Sequence, residues 1–341
     1  MACERSDFNN KDISNIVNSY LPQEHLEAYR MGNKEDDTIF SVSTGFSNFD
    51  KNLNGGLRQG LHVIGAISGL GKTTFALQLA DQIAQSGQDV LFFSLEMSRA
   101  ELGKKSTNRH LYNLVESDSV QGVNIEICSK LANINYSSTK IRKTEVPYLI
   151  AALNNYSLSA KHLYFFEDEY KNHPISANLI SALSKKHKEV TGNTPVIFVD
   201  YLQVLEPICN RMVDKQNVDD SVRVLRKLSR ELHTVVFAIS SFNRDNYKEP
   251  VNISSFKETG SIEYSADYLY GMQLKGMDYE HGEKEQTRLS RIRELEKNTI
   301  QRKNNNQPIA IEIKCLKNRF GCQFSIMFDM MPGFSHFSES K

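Results

Sequence analysis

The chain has 341 residues, 40% of them hydrophobic, enough for one large domain or for a domain with an appendage. Its 41 basic residues balance its 41 acidic ones, so net charge announces no nucleic acid, membrane surface or acidic substrate, and any such partner has to be met by a local patch. The five cysteines (Cys3, Cys128, Cys209, Cys315 and Cys322) are scattered and form no close metal-binding pair; with no apolar run near the ~18 residues of a membrane helix, the sequence reads as cytoplasmic, with no membrane partner.

From about Asp12, Ile13, Ile16, Val17, Tyr20 and Leu21 recur at helical spacing and predict a short amphipathic helix. The polar stretch Gly32 to Asp37 follows as a linker, so residues 1–40 read as an arm in front of a domain spanning residues 41–341. Beyond it, short apolar runs predict strands at Leu61 to Ala66, Val90 to Phe93, Leu163 to Phe166, Val196 to Val199 and Val235 to Ile239. Helical patterns lie between them at Thr73 to Gln85, Ala177 to Lys188 and Val218 to Leu232, the last with Val218, Val222, Leu225 and Leu232 on one stripe. Such alternation implies an α/β fold whose mostly parallel sheet is joined by crossover helices. After Tyr268 come adjacent strands, Ile309 to Leu316 and Gln323 to Phe328, read as a C-terminal hairpin; the charged stretch Lys275 to Asn306 before them reads as a solvated, partly helical insertion.

The segment Gly65-Ala66-Ile67-Ser68-Gly69-Leu70-Gly71-Lys72-Thr73-Thr74 follows a buried-type strand and opens a helix. That context is what a P-loop requires: backbone N–H groups of Ser68 to Thr74 and the helix N-terminus present donors to phosphates. Lys72 would add a charge near the β- and γ-phosphates of ATP, and the Thr73 hydroxyl would hold Mg²⁺. The strict pattern fails only at its first position, Ala66. Two further carboxylates suit phosphoryl transfer to water: Asp200 ends an apolar strand, from which it can reach the metal, and Glu96 lies just past another, placed to act as general base. Taken alone, Asp200 reads equally well as a turn cap, and Glu96 better as a first-turn carboxylate.

Together these residues resemble a known family. Thr44-Gly45-Phe46 with Gly55-Gly56-Leu57, Phe93-Ser94-Leu95-Glu96-Met97-Ser98, Asp200-Tyr201-Leu202-Gln203, Ser240-Ser241-Phe242-Asn243-Arg244, Glu258 to Glu263 and Lys317-Asn318-Arg319-Phe320-Gly321 resemble, in order, the motifs of the C-terminal RecA-like ATPase domain of DnaB-type replicative helicases. The resemblance covers roughly residues 41 to 337, and alanine is common in that family at the position of Ala66. It implies a hexameric ring with ATP between neighbours, Glu96 as catalytic base, and Lys317 and Arg319 reaching into the next subunit's site. It also implies that the loop from about Tyr247 to Glu263, with Lys257, Glu258 and Gly260, grips single-stranded DNA, and that a primase or helicase loader is a partner. The basic helix face of Arg223, Arg226, Lys227 and Arg230 reads instead as solvated.

Two departures stand out. Ser241 occupies the place where the family usually carries a glutamine that senses the γ-phosphate, and the family's N-terminal helical collar is expected to be replaced by the arm, which could dock on a neighbouring subunit. The expected function is therefore an ATP-dependent ring helicase moving on single-stranded DNA, in the setting of a phage or other mobile element. The alternatives are a RecA- or RadA-like ATPase that remodels DNA without unwinding it, and a module in which nucleotide controls binding to a replication partner.

Overall fold

Apolar runs buried on both faces can only satisfy their backbone by pairing side by side, and they form the centre of a nine-stranded sheet. The computed structural model describes residues 40–116, 131–132, 143–167, 169–170, 173–207, 214–243, 247–256 and 259–340. Ser41 to Lys341 make one compact unit; the predicted arm helix lies outside the described residues.

The sheet strands are β1 (Gly60–Ala66), β2 (Val90–Ser94), β3 (Leu163–Phe166), β4 (Val196–Asp200), β5 (Val235–Ser241), β6 (Tyr268–Leu274), β7 (Ile309–Asn318), β8 (Phe324–Met331) and β9 (His336–Glu339). Their order is β9-β8-β7-β6-β1-β5-β4-β2-β3. The six strands from β6 to β3 are mutually parallel, and β7, β8 and β9 extend the sheet antiparallel. The predicted hairpin is thus three strands, because the chain turns once more at Pro332–Phe334. Strand β6 escaped the sequence reading, since Gly271 and Gln273 interrupt its apolar run, although the whole strand is buried.

The helices are α1 (Ser47–Asn52), α2 (Lys72–Gln85), α3 (Arg99–Glu116), α4 (Val146–Ser159), α5 (Ala177–Thr191), α6 (Asp214–Leu232), α7 (Thr259–Ser265) and α8 (Glu285–Asn304). Helix α5 starts where the Ser176 hydroxyl accepts from the Leu179 amide and stops at Gly192, whose φ of 76° suits a residue without Cβ. On one face of the sheet, the predicted stripe of α6 is buried together with Leu228, Ile180 and the strands beneath. Elsewhere an aromatic cluster joins α1, α2, β8 and β9: Phe75 lies 5.4 Å from Phe328 and 5.3 Å from Phe337, ring to ring, and Phe46 stacks on Phe75 at 5.8 Å. Removing such a fully buried ring costs about 3–5 kcal/mol. Helix α1 is closed from the far end of the unit, as the Glu339 carboxylate accepts from the amides of Asn48 and Phe49 and from the Ser47 hydroxyl.

Two segments differ from expectation. The charged stretch Lys275 to Asn306 is not a solvated insertion throughout, because α8 buries Arg288 and Ile292 completely. The segment expected as a loop from Tyr247 to Glu263 contains a 3-10 turn at Ile253–Ser255, closed by reciprocal Asn252 and Ser255 hydrogen bonds, and then α7. Gly260 is therefore helical; Lys257 and Glu258 lie outside the described residues. Among the described residues no helix is long and apolar enough to cross a membrane.

Candidate active site

The loop between β1 and α2 leaves the C-terminal edge of the parallel strands, where side chains from several elements converge. Leu70 is buried, whereas Ser68 and Gly69 are exposed, so the loop is anchored by an apolar residue and presents its backbone outward. Gly71 caps α2 with φ 100°, in the left-handed region that favours glycine, and a Cβ there would also crowd the flexible end of the Met330 side chain at 3.0 Å. The first amides of α2, at Lys72, Thr73 and Thr74, have no partner one turn back and are free to meet an anion.

Lys72 folds back so that Nζ donates to the carbonyls of Ala66 (3.0 Å) and Ile67 (3.1 Å). Burial lowers its pKa, and Asp200 and Glu96 raise it. Asp200, at the end of β4, is 1% exposed, and neither of its oxygens has a hydrogen bond of normal geometry to a described residue. Burial pushes its carboxyl up to about 6; the nearby Thr73 hydroxyl pulls it down, Glu96 pushes it up, and Lys72 and Lys105 pull it down. A buried carboxylate with its oxygens uncommitted, facing a hydroxyl and two ammonium groups, is the donor set of a hard cation held beside phosphates. The residues present thus fit Mg²⁺.

Glu96 is exposed on a short connection pinned at both ends. The Leu95 amide donates to the Asp200 carbonyl at 2.8 Å, and the Ser94 hydroxyl donates to the Met97 carbonyl at 2.7 Å. Next, Ser98 and Glu101 form a capping box that starts α3: the Glu101 amide donates to the Ser98 hydroxyl, and the Ser98 amide to the Glu101 carboxylate. The base candidate is thus held between two strand ends and a helix start.

One residue of this cluster escaped the sequence reading. Lys105, on α3, donates to the buried Thr74 hydroxyl at 3.2 Å, and its pKa is lowered by burial and by Arg109 while Glu101 and Asp200 raise it. The signal was present: Leu102, Lys105, Ser106 and Arg109 share helical spacing, and Leu102, Ser106 and Arg109 are buried. Arg109 forms an ion pair with Asp81 of α2 and donates to the Ser335 carbonyl at 3.1 Å, fixing α3 against the phosphate-loop helix.

Ser241 pairs in register with Ala66, directly beside the loop. Gln203 fills in next to it: its amide donates to the Ser240 hydroxyl at 2.9 Å and accepts from the Ser241 backbone at 3.3 Å, linking the ends of β4 and β5. The chain after β5 then returns over β1. A Cβ on Gly65 would lie 2.4 Å from both Phe242 and Phe256, so these two rings occupy the space that a glycine leaves next to the phosphate loop.

Lys317 and Arg319 lie elsewhere. The register Lys317 to Leu269 and Leu269 to Val63 puts them toward the opposite end of the central strands from the loop. There Lys317 donates to the Glu263 carbonyl, and Arg319 meets Asp267 at 3.1 Å and donates to the Tyr264 carbonyl at 3.2 Å. Of the basic face on α6, Arg223 pairs with Asp220, Arg226 with Asp267 and Lys227 with Glu231. Arg223 and Lys227 are exposed, as the solvated reading of the face expects, whereas Arg226 is only 22% exposed and turns to the buried Asp267.

The profile of the DnaB-like helicase C-terminal domain matches residues 41–339. The chain belongs to that family. It is 28% identical over 283 residues to the replicative DNA helicase DnaB of Geobacillus stearothermophilus, an alignment covering 80% of this chain and 55% of the relative. With DnaB of Helicobacter pylori strain J99 it shares 24% identity over 335 residues, 89% of this chain and 62% of that one. The chain thus spans a little over half the length of these relatives. Among solved structures, a DnaB-like replicative helicase, studied with its primase interactions, superposes with a TM-score of 0.69 at 22% identity, covering 97% of this chain and 71% of that one. A separately solved ATPase domain gives 0.67 at 21% identity, over 94% and 99%. These structural likenesses establish the fold, the RecA-like α/β sheet expected from the sequence.

Proposed function

We propose that residues 41–341 are the motor of an ATP-driven DNA helicase that works as a hexameric ring, with residues 1–40 serving as an arm between subunits. The observation that carries this is Asp200: a buried carboxylate with no hydrogen bond of normal geometry among the described residues, set beside Thr73 and behind a P-loop lysine. Backbone amides from Ser68 to Thr74 and the Lys72 ammonium would bind the phosphates of ATP. Thr73 and Asp200 would hold Mg²⁺, which when bound neutralises charge on the β- and γ-phosphates. Glu96 would orient and deprotonate the attacking water, its connection held rigid by Ser94 and by the amide of Leu95. Lys105 would steady the carboxylate and the first turn of α2.

Lys317 and Arg319 would complete the site of the next subunit, since their place toward the other end of the strands keeps them from their own phosphate loop. Single-stranded DNA would be gripped by the segment around Lys257, Glu258 and Gly260 through backbone amides and ammonium contacts to phosphate. A primase or loader would meet the assembled ring, as relatives of this kind work in replication. Ser241, with its backbone amide already bound by Gln203, favours a second reading, a motor that remodels DNA without separating strands. The test is ATPase rate with and without single-stranded DNA, alongside unwinding of a forked duplex and the mass of the assembly with nucleotide. DNA-stimulated hydrolysis with unwinding is expected. Stimulation without unwinding selects the second reading, and a strict monomer under all conditions overturns both.

A further inference from the structure

Helix α8 touches two regions that the proposed cycle has to connect. At its C-terminal end, Lys303 Nζ donates to the carbonyl of Gly69, at the tip of the phosphate loop, at 2.8 Å. Near its N-terminal end the buried Arg288 donates to the Lys248 carbonyl and, at 3.3 Å, to the Glu249 carboxylate. Its guanidinium lies 4.3 Å over the Tyr279 ring, whose hydroxyl donates to the same carboxylate. Lys248 and Glu249 belong to the segment that leaves β5 and leads to Gly260. The helix between the two contacts is about 22 Å long. Along that length Glu296 lines a narrow cavity together with Ile67 and Leu70 of the phosphate loop and Tyr247 and Glu249 of the segment after β5.

The two ends differ in how easily they let go. Arg288 is buried with a charge partner, and freeing it would leave a buried guanidinium without the carboxylate it donates to. Lys303 is half-buried and bonded to a neutral carbonyl, next to the place where phosphate oxygens would arrive, and an ammonium prefers an anionic acceptor. The helix itself is braced: Arg291 holds Glu283 (2.7 Å) and the Asp278 carbonyl (2.9 Å), and Arg302 donates to the Pro308 carbonyl.

We propose that α8 is a strut that transmits nucleotide occupancy to the segment 247–256, with Lys303 as the releasable contact, Arg288 as the fixed one, and both as positioning residues. Phosphates drawing Lys303 away from Gly69 would shift the helix, and Lys248 and Glu249 would move with Arg288. This inference rests on the phosphate loop binding nucleotide, as proposed above; it does not require that 247–256 serve DNA.

The experiment is hydrogen exchange of the 247–256 amides in the full chain, with and without a saturating non-hydrolysable ATP analogue. Nucleotide binding is followed separately by fluorescence and DNA binding by anisotropy. In the wild type the analogue should slow exchange there by about fivefold or more. Lys303→Met should bring that change below about twofold while the analogue still binds, and Lys303→Arg should restore it. Tyr279→Phe, a mild change at the fixed end, should weaken the response and stands in if Arg288→Leu does not fold. An undiminished response in Lys303→Met, or none in a wild type that binds the analogue, would overturn the strut. Failure to bind the analogue at all would instead overturn the nucleotide site on which it rests, and absence of DNA binding with an intact response would overturn only the DNA assignment.

Discussion

The two ends of the central strands carry charge in opposite conditions. At the phosphate-loop end, Asp200 makes no hydrogen bond of normal geometry to a described residue, Lys72 rests on neutral carbonyls, and Lys105 meets a hydroxyl. At the other end, Asp267 takes Arg226, Arg319 and the Leu61 amide, while Lys317 and Arg319 are also satisfied by carbonyls of α7. Charges left without ion partners in a buried place cost stability unless a ligand completes them, so the first end is built to be filled. The second is self-sufficient in an isolated subunit, and anything Arg319 does for a neighbour has to compete with Asp267.

Substitutions can break or sharpen this contrast. The largest effect is expected from Lys72→Ala, which should reduce ATP turnover to background in a steady-state assay. Arg319→Ala should lower turnover by about 10³-fold, and mixing with subunits that keep Arg319 but lack Glu96 should recover part of it; no recovery would argue against a shared site. Glu96→Gln should slow hydrolysis by about 10²-fold with nucleotide affinity unchanged, and a normal rate would remove Glu96 from the role of base.

A smaller effect concerns folding. The folded pKa of Asp200, about 6, lies above its ordinary 3.8, so its ionised form costs stability above pH 6, and that cost disappears as pH falls through 6 toward 3.8. Asp200→Asn should therefore stabilise the nucleotide-free chain at pH 7.5 by on the order of 2 kcal/mol, read as a Tm raised by a few degrees, while abolishing Mg²⁺-dependent nucleotide binding. Stabilisation that persists undiminished at pH 4 would mean that the carboxylate's charge is not the cause. At the opposite end, Arg226→Gln should cost only about 1 kcal/mol or less by denaturant titration, since Arg319 and the Leu61 amide still satisfy Asp267.

Much of this arrangement is legible in the sequence. Five of the six parallel strands announce themselves as apolar runs, and the stripe on α6 reads position by position, because burial on both faces or on one stripe leaves a periodic mark. Glu96, Asp200, Lys72 and Thr73 follow from strand ends and a glycine turn, and the structure gathers them at one edge of the sheet. What stays hidden is polar burial. Lys105 and Arg109 face inward yet look solvated in a pattern that scores only apolar residues, and the buried side of α8 escapes for the same reason: the residue that seats it is Arg288, amid charges that do face water. Backbone conformation is the other blind spot. Nothing in Glu258-Thr259-Gly260-Ser261 marks a helix start over a gripping loop, and the contact between Lys303 and Gly69 joins residues far apart in sequence.

The cap on α1 ties synthesis to folding. Its amides are satisfied by Glu339, about 290 residues downstream, so the cap on α1 and the Phe337 side of the aromatic cluster close only once β9 has been translated. At ordinary elongation rates, ~5–20 residues per second, the phosphate loop exists for tens of seconds before the strands that cover Gly71 arrive. A nascent chain halted before β9 would lack Phe337 against Phe75 and Phe328, leaving both rings less covered than in the folded unit.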